Sequence, residues 1–222
     1  MRQLSNNLGN SYKWWVLIAV SIANLSAALD MSIITVSFPR LTEVFNTDAS
    51  VIVWLTISFS VAELGLMLTL AKVGDAIGRK KVYCFGVGLY TLGLILCSLS
   101  PNISMLIFSR VVQGAGAAMA MTVGAAIVVA AFPAEQQGRA IGFFGMLTSV
   151  GLIAGPALGG VLIDYLDWQG IFYTRIPVGI ITLIMAMVII REQTEPGTRF
   201  RLDYGDFSQV LFCHDTQGVR QS

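Results

Sequence analysis

The sequence predicts an all-α membrane protein with six transmembrane helices, on three observations. Of its 222 residues, 55% are hydrophobic and only 12% charged, against about 25% charged in soluble domains. Six apolar stretches each come close to the ~20 residues that a helix needs to cross a bilayer. The charges gather in the short connections between those stretches. Helix follows because lipid offers the backbone no hydrogen-bond partner outside its own segment. A barrel would show alternating strands of about ten residues, and the sequence has no such pattern.

The first span, 14–37, follows a short N-terminus, residues 1–13, and opens on Trp14 and Trp15, an aromatic pair suited to a membrane–water interface. Its apolar run is too long for a cleaved secretory signal, and further spans follow it. The second span, 51–71, begins around Trp54. The third covers 82–100, the fourth 103–131 and the fifth 140–163. The sixth, 171–190, follows Trp168, which suits the opposite interface. Residues 14–190 therefore form one bundle. The tail, 191–222, turns apolar only over 206–213, too briefly to cross. It reads as cytoplasmic and truncated.

Lys and Arg set the orientation. Arg2, Lys13, Lys72, Arg79, Lys80, Lys81, Arg139 and four arginines of the tail fall on one side; Arg40 and Arg175 fall on the other. By the positive-inside rule both termini are cytoplasmic, in a plasma (inner) membrane. The net charge of +1 gives no field to recruit nucleic acid. Cys84, Cys97 and Cys213 have no metal or disulfide spacing, and the single His214 has no partner for a metal or a triad. No nucleophile elbow or catalytic constellation points to an enzyme. The expectation is no catalytic residue, no metal and no cofactor, with a lipid bilayer and a small molecule as the partners.

Asp30, Glu63 and Arg110 lie inside spans, where an ionised group costs about 2.5–3.5 kcal/mol on insertion scales. Each sits at helical spacing with polar or small residues: Asp30 with Ser26 and Ser37, Glu63 with Ser60 and Thr56, Arg110 with Gln113 and Ala117. Three helices can then line one wet interior. A carboxyl there suits a proton relay or ligand site, since burial and a nearby arginine pull its protonation in opposite directions. The alternative is a static ion pair that holds helices together.

Four strings carry more specific information. Between spans two and three stands Ala71-Lys72-Val73-Gly74-Asp75-Ala76-Ile77-Gly78-Arg79-Lys80-Lys81, whose glycines allow a tight turn. Span four contains Arg110-Val111-Val112-Gln113-Gly114-Ala115-Gly116-Ala117. Span five contains Gly151-Leu152-Ile153-Ala154-Gly155-Pro156-Ala157-Leu158-Gly159-Gly160, with Gly142 and Gly145 before it. Gly151, Gly155 and Gly159 repeat every four residues and make a smooth face that a neighbouring helix can approach. Pro156 removes an amide donor and should bend the helix. Span one contains Leu29-Asp30-Met31-Ser32-Ile33-Ile34-Thr35-Val36-Ser37-Phe38-Pro39.

These strings resemble, in order, the signature loop, the fourth-helix motif, the antiporter motif of the fifth helix and the first-helix motif of the major facilitator superfamily. The last is similar to that of its fourteen-span drug:proton antiporters. Trp54-Leu55-Thr56 with Phe59 resembles the opening of the family's second helix. Trp168, Phe172 and Pro177 resemble its sixth-helix entrance, with Arg175 where that pattern commonly has Asn. The resemblance covers roughly residues 14–206.

It implies the N-terminal six-helix half of a transporter that exports small lipophilic compounds or drugs by proton-coupled antiport, driven by the proton gradient. Asp30, Glu63, Arg110 and Gln113 would then couple protons or bind substrate. Gly74, Asp75, Gly78, Arg79 and Lys80 would form a conformational latch. Gly151, Gly155, Pro156, Gly159 and Gly160 would pack helices. The sequence alone shows no internal repeat, although a three-plus-three inverted repeat is compatible with it. The alternative reading is a truncated half-transporter, either inert or needing a second half-chain or another copy of itself.

Overall fold

Eight helices and no strand make up the described residues. The structure is a computed structural model that describes residues 2–190, without the side chains of residues 2–11, Leu68, Ala71, Lys72 and Asp75. The tail expected over 191–222 lies outside the described residues.

The helices are α1 (Arg2–Val36), α2 (Phe38–Phe45), α3 (Ala49–Ile52), α4 (Trp54–Ile77), α5 (Arg79–Ser98), α6 (Ile103–Ala131), α7 (Ala134–Tyr173) and α8 (Ile176–Ile189). The fourth span has the bounds its apolar run predicts. Asn102 begins it, its side chain accepting the Met105 amide at 2.8 Å, which satisfies one of the free donors of a helix start. Elsewhere the bounds differ: α8, at Ile176–Ile189, is shorter than the predicted 171–190, while other helices outrun their apolar runs at one end or both. α1 starts at Arg2, and α7 extends the fifth span in both directions.

α4 and α5 close the predicted loop between spans two and three to a single residue, Gly78. Its φ of 112° is a conformation that a side chain disfavours, so glycine lets two long helices meet there. α2, unforeseen in the sequence, has Pro39 in its first turn and ends on Asn46 in the left-handed region. It buries Leu41 and exposes Arg40 and Glu43.

At 40 residues, α7 is about 60 Å long at 1.5 Å per residue, twice a hydrocarbon core. The backbone breaks within it at Asp167, where φ is 60°. The Asp167 carboxylate accepts the Trp168 amide at 2.7 Å and is gripped by Arg40 Nε and Nη2 at 2.9 and 3.1 Å. Residues 134–166 thus form the fifth crossing. The short turn Trp168–Tyr173 leads into α8, the sixth. The break falls at Asp167; the dihedral angles through Pro156 remain helical. Trp168, expected at the interface, is buried between Phe45 and Phe172 at ring distances of 5.2 and 6.3 Å. Trp14, Trp15 and Trp54 are exposed.

The crossings pack in a regular way. α1 lies along α7 and meets α8 and α6; α4 lies along α6; α5 packs on α6 and on α8. Exchanging α1 with α6, α4 with α7 and α5 with α8 maps this set of pairings onto itself, α1–α7 onto α6–α4 and α1–α8 onto α6–α5. Since α1 and α6 run in opposite directions, this is an inverted three-plus-three arrangement.

Close approach of α5 to α6 depends on glycine. A Cβ at Gly116 would strike the Tyr90 backbone, and one at Gly93 would lie 2.6 Å from the Gln113 Cα. Two apolar clusters fill the bundle. One, around Ile33, Leu55, Leu94, Leu106 and Phe172, lies toward the Asp167 end; the other, around Leu17, Tyr83, Val123 and Ile127, lies toward the Gly78 end. Polar and charged side chains lie where the two meet.

Candidate functional site: a carboxylate held by two arginines

Burying a charge in a lipid-embedded bundle is tolerable only with a partner of opposite sign and with hydrogen bonds for its remaining polar atoms. Asp30 on α1, Arg110 and Gln113 on α6 are each 0% exposed. One Arg110 Nη1 donates to Asp30 Oδ2 and, at 2.8 Å, to Gln113 Oε1. Arg110 Nε donates to the Leu55 carbonyl of α4 at 3.1 Å, and its guanidinium lies 4.4 Å from the centre of the Phe59 ring. Planar guanidinium suits this combination of a fork of donors with a face for stacking.

The second cation is Arg175, just before α8. Its Nη1 pairs with Asp30 Oδ1, its Nε donates to the Ile171 carbonyl at 2.9 Å, and it is 5% exposed. The topology rule assigns this residue to the far aqueous side. The structure turns it inward, because the short turn after Asp167 brings the start of α8 against α1. The sequence carried one signal of it, an arginine where the resembling pattern has Asn. One carboxylate therefore ties together α1, α6 and α8, with α4 contributing a carbonyl and a ring.

Two hydroxyl or thiol groups of α5 border the cluster. Tyr90 donates to the Ser26 carbonyl at 3.3 Å, and Cys97 Sγ approaches Gln113 Oε1 at 3.7 Å. Glu63 lies one turn beyond Phe59 on α4 and is 8% exposed. It makes no hydrogen bond or ion pair with another described residue, so the structure brings it near the cluster without joining it. The wet interior expected from the polar stripes is corrected. Asp30, Arg110 and Gln113 are enclosed by protein, since α5 and α8 close over the stripes that α1 and α6 share. Arg110 Nη2, Arg175 Nη2 and Gln113 Nε2 have no hydrogen-bond partner among the described residues.

The other predicted groups lie elsewhere. Gly151, Gly155 and Gly159 face α1: a Cβ at Gly155 would overlap Ser32 Oγ, and one at Gly151 would lie 2.9 Å from Ala28 Cβ. Pro156 is exposed, and a Cβ at Gly160, Gly142 or Gly145 would meet nothing within 4 Å. The packing face is thus narrower than the motif. Gly74 of α4 faces Val123 of α6, with a would-be Cβ at 2.9 Å. Gly78 is the hinge, and Lys80 Nζ donates to the Met187 carbonyl near the end of α8 at 2.8 Å, a suitable place for a cation. Arg79 is half-buried at the start of α5, and the side chain of Asp75 lies outside the described residues. Among those residues no group of His, Cys, Asp or Glu could hold a metal ion.

The sequence and the fold are similar to known proteins. The family model "Major Facilitator Superfamily" matches residues 20–206. The chain is 37% identical over 175 residues to the "Riboflavin transporter RibZ" of Clostridioides difficile, covering 79% of this chain and 38% of that protein. It is 35% identical over 198 residues to the "Multidrug resistance protein Stp" of Mycobacterium tuberculosis, covering 88% and 36%. In fold it is similar to a bacterial homologue of the human lysosomal transporter Spinster in an inward-facing, unoccupied conformation. The TM-score is 0.74 at 18% identity, covering 90% of this chain and 48% of that one. The chain thus spans between about a third and a half of the length of the proteins it matches. Together the match over 20–206 and these relatives place the chain in the major facilitator superfamily, a family of integral membrane transporters of small molecules.

Proposed function

We propose that this chain supplies the N-terminal half of a proton-coupled antiporter that exports small lipophilic compounds. One observation carries this reading: a fully buried Asp30–Arg110 pair that joins α1 to α6 and leaves donors of both neighbouring arginines unpaired. Protonation of Asp30 would remove the carboxylate charge that, among the described residues, pairs directly with both Arg110 and Arg175. Those side chains would then seek other acceptors, and α1, α6 and α8 would shift relative to one another. A ligand or proton moves such an equilibrium only by its differential affinity for the two states, and a buried ion pair supplies a large difference. Substrate would sit between this bundle and a second one, each rocking against the other. Glu63 is a candidate contact for a cationic substrate. Gly78 and Lys80 would latch the end that, by the positive-inside rule, faces the cytoplasm of a plasma (inner) membrane.

Relatives named as multidrug resistance proteins support lipophilic export, and one named as a riboflavin transporter points to a planar aromatic ligand as a further class. A second reading rests on the chain covering 36–38% of two relatives. In that reading, six helices transport nothing until a second six-helix half joins them, from a continuing polypeptide, a separate chain or another copy. Efflux of a fluorescent lipophilic dye from energised vesicles tests the first reading. It should collapse on adding a protonophore, and efflux that survives loss of the gradient would exclude proton coupling.

A further inference from the structure

Gly78 and Asp167 occupy equivalent places in the inverted repeat, one where α4 gives way to α5 and the other where α7 breaks ahead of α8. Both have positive φ, 112° and 60°. Glycine takes such a conformation without strain. Aspartate does not: with ψ at −177°, Asp167 lies in a region that is almost exclusively glycine's, and a residue persists there only where its surroundings hold it. Those holding contacts come from α2. Arg40 grips both oxygens of the Asp167 carboxylate, and Phe45 packs on the buried Trp168 ring. Arg40 Nη1 also donates to Glu43 Oε2 at 3.4 Å, so a guanidinium released from Asp167 keeps an acceptor. Beyond the break, residues 168–175 are tied into one unit. The Thr174 and Arg175 amides donate to the Gly170 and Phe172 carbonyls, both at 3.1 Å, and Arg175 Nε returns to the Ile171 carbonyl. At the far end of this unit is the Arg175 Nη1 that pairs with Asp30. The unit is also pressed against the helix it leaves: a Cβ at Gly170 would lie 2.3 Å from Leu166 Cβ.

We propose that Arg40 and Asp167 are positioning residues for the charged cluster: their ion pair keeps a strained hinge closed, and the closed hinge presents Arg175 to Asp30. Release of Asp167 relaxes its backbone, turns residues 168–175 away from α1 and leaves Asp30 to Arg110 alone. The Arg40–Asp167 pair is exposed, and exposed ion pairs are individually weak, which suits a contact that must open and close. Buried Arg110 is thereby the fixed partner of the carboxylate and Arg175 the removable one. The use of such a device rests on the reading of Asp30 as the coupling carboxylate, since the hinge then sets how many cations face that group.

Amide hydrogen exchange of the full chain in lipid nanodiscs, read by mass spectrometry over the α1 segment around Asp30, tests this. Arg40→Gln removes the ion pair without touching the cluster. It should speed exchange around Asp30 about tenfold, the equivalent of a typical coupling between linked residues, and should have almost no effect there in an Arg175→Asn background. Gly170→Ala forces the turn away from Leu166 with every charge in place and should act in the same way. Arg40→Lys keeps the charge but loses the fork and should fall between Arg40→Gln and the wild type. Faster exchange confined to residues 168–175 would overturn the proposal, because the strap would then be local. Equal acceleration around Asp30 with and without Arg175 would also overturn it, because additive effects mark independent sites. The readout involves neither protons nor substrate, so its failure removes the strap alone and leaves the coupling role of Asp30 to the efflux measurement.

Discussion

Asp30 is one carboxylate shared by two cations, and the two are not equivalent. Arg110 is fully enclosed and bonds to Asp30, Gln113 and the Leu55 carbonyl while lying over Phe59. Arg175 bonds to Asp30 and to the carbonyl of Ile171, one turn back on its own chain. Removing one partner of a buried ion pair costs about 3–5 kcal/mol, whereas losing one charged hydrogen bond costs about 1.5–3 kcal/mol. Each change leaves Asp30 one arginine, but Arg110→Ala also loses the bonds to Gln113 and the Leu55 carbonyl and the contact with Phe59, and should therefore lower stability more than Arg175→Asn. Thermal unfolding in detergent measures the order, and a greater loss in Arg175→Asn would contradict it. Asp30 and Arg110 were legible in the sequence because a charge inside an apolar run is conspicuous, and Gln113 because it lies one turn from Arg110 in the same string. Arg175 was not, since an arginine at the edge of a run has the same pattern whether it turns outward to water or inward to a carboxylate.

At the scale of the helix, glycine placement separates packing faces from open ones. Gly155 meets Ser32 of α1 so closely that any side chain must displace α1, while Gly160 meets nothing. Overpacking a tight contact typically costs about 1–3 kcal/mol, and surface changes about 0.5 kcal/mol or less. Gly155→Val should fall in the first class and Gly160→Ala in the second, compared by unfolding midpoint; similar losses would show that α1 and α7 are not in contact there. Gly78, at φ 112°, should lose about 1–2 kcal/mol on substitution by alanine, seen as faster proteolysis between α4 and α5. Glycines at a spacing of four are readable as a face, so a close helix contact there could be anticipated, though not that α1 would make it. The one-residue hinge could not. Polar residues such as Lys72 and Lys81 end an apolar run, yet they are good helix formers, so the helices continue through them. The short α2 was hidden for the converse reason. Its eight residues carry Pro39, Arg40 and Glu43, and the sequence reads as a connection.

For the whole molecule, six crossings and their order follow from apolar length alone, while the inverted pairing does not. The symmetry lies in which backbones approach each other, and different side chains satisfy it in the two sets of three: Gly116 between α5 and α6, and Gly155 between α7 and α1. The charged cluster sits on the pseudo-symmetric pair α1 and α6. A change in its protonation would thereby act on both sets of three at once. Proton release on substrate binding measures this most directly, with a lipophilic dye added to the detergent-purified protein in weakly buffered solution. Release of about one proton per dye bound in the wild type, and none in Asp30→Asn that still binds the dye, is the expected result. Undiminished release from Asp30→Asn would contradict a coupling role for the carboxylate between the two arginines.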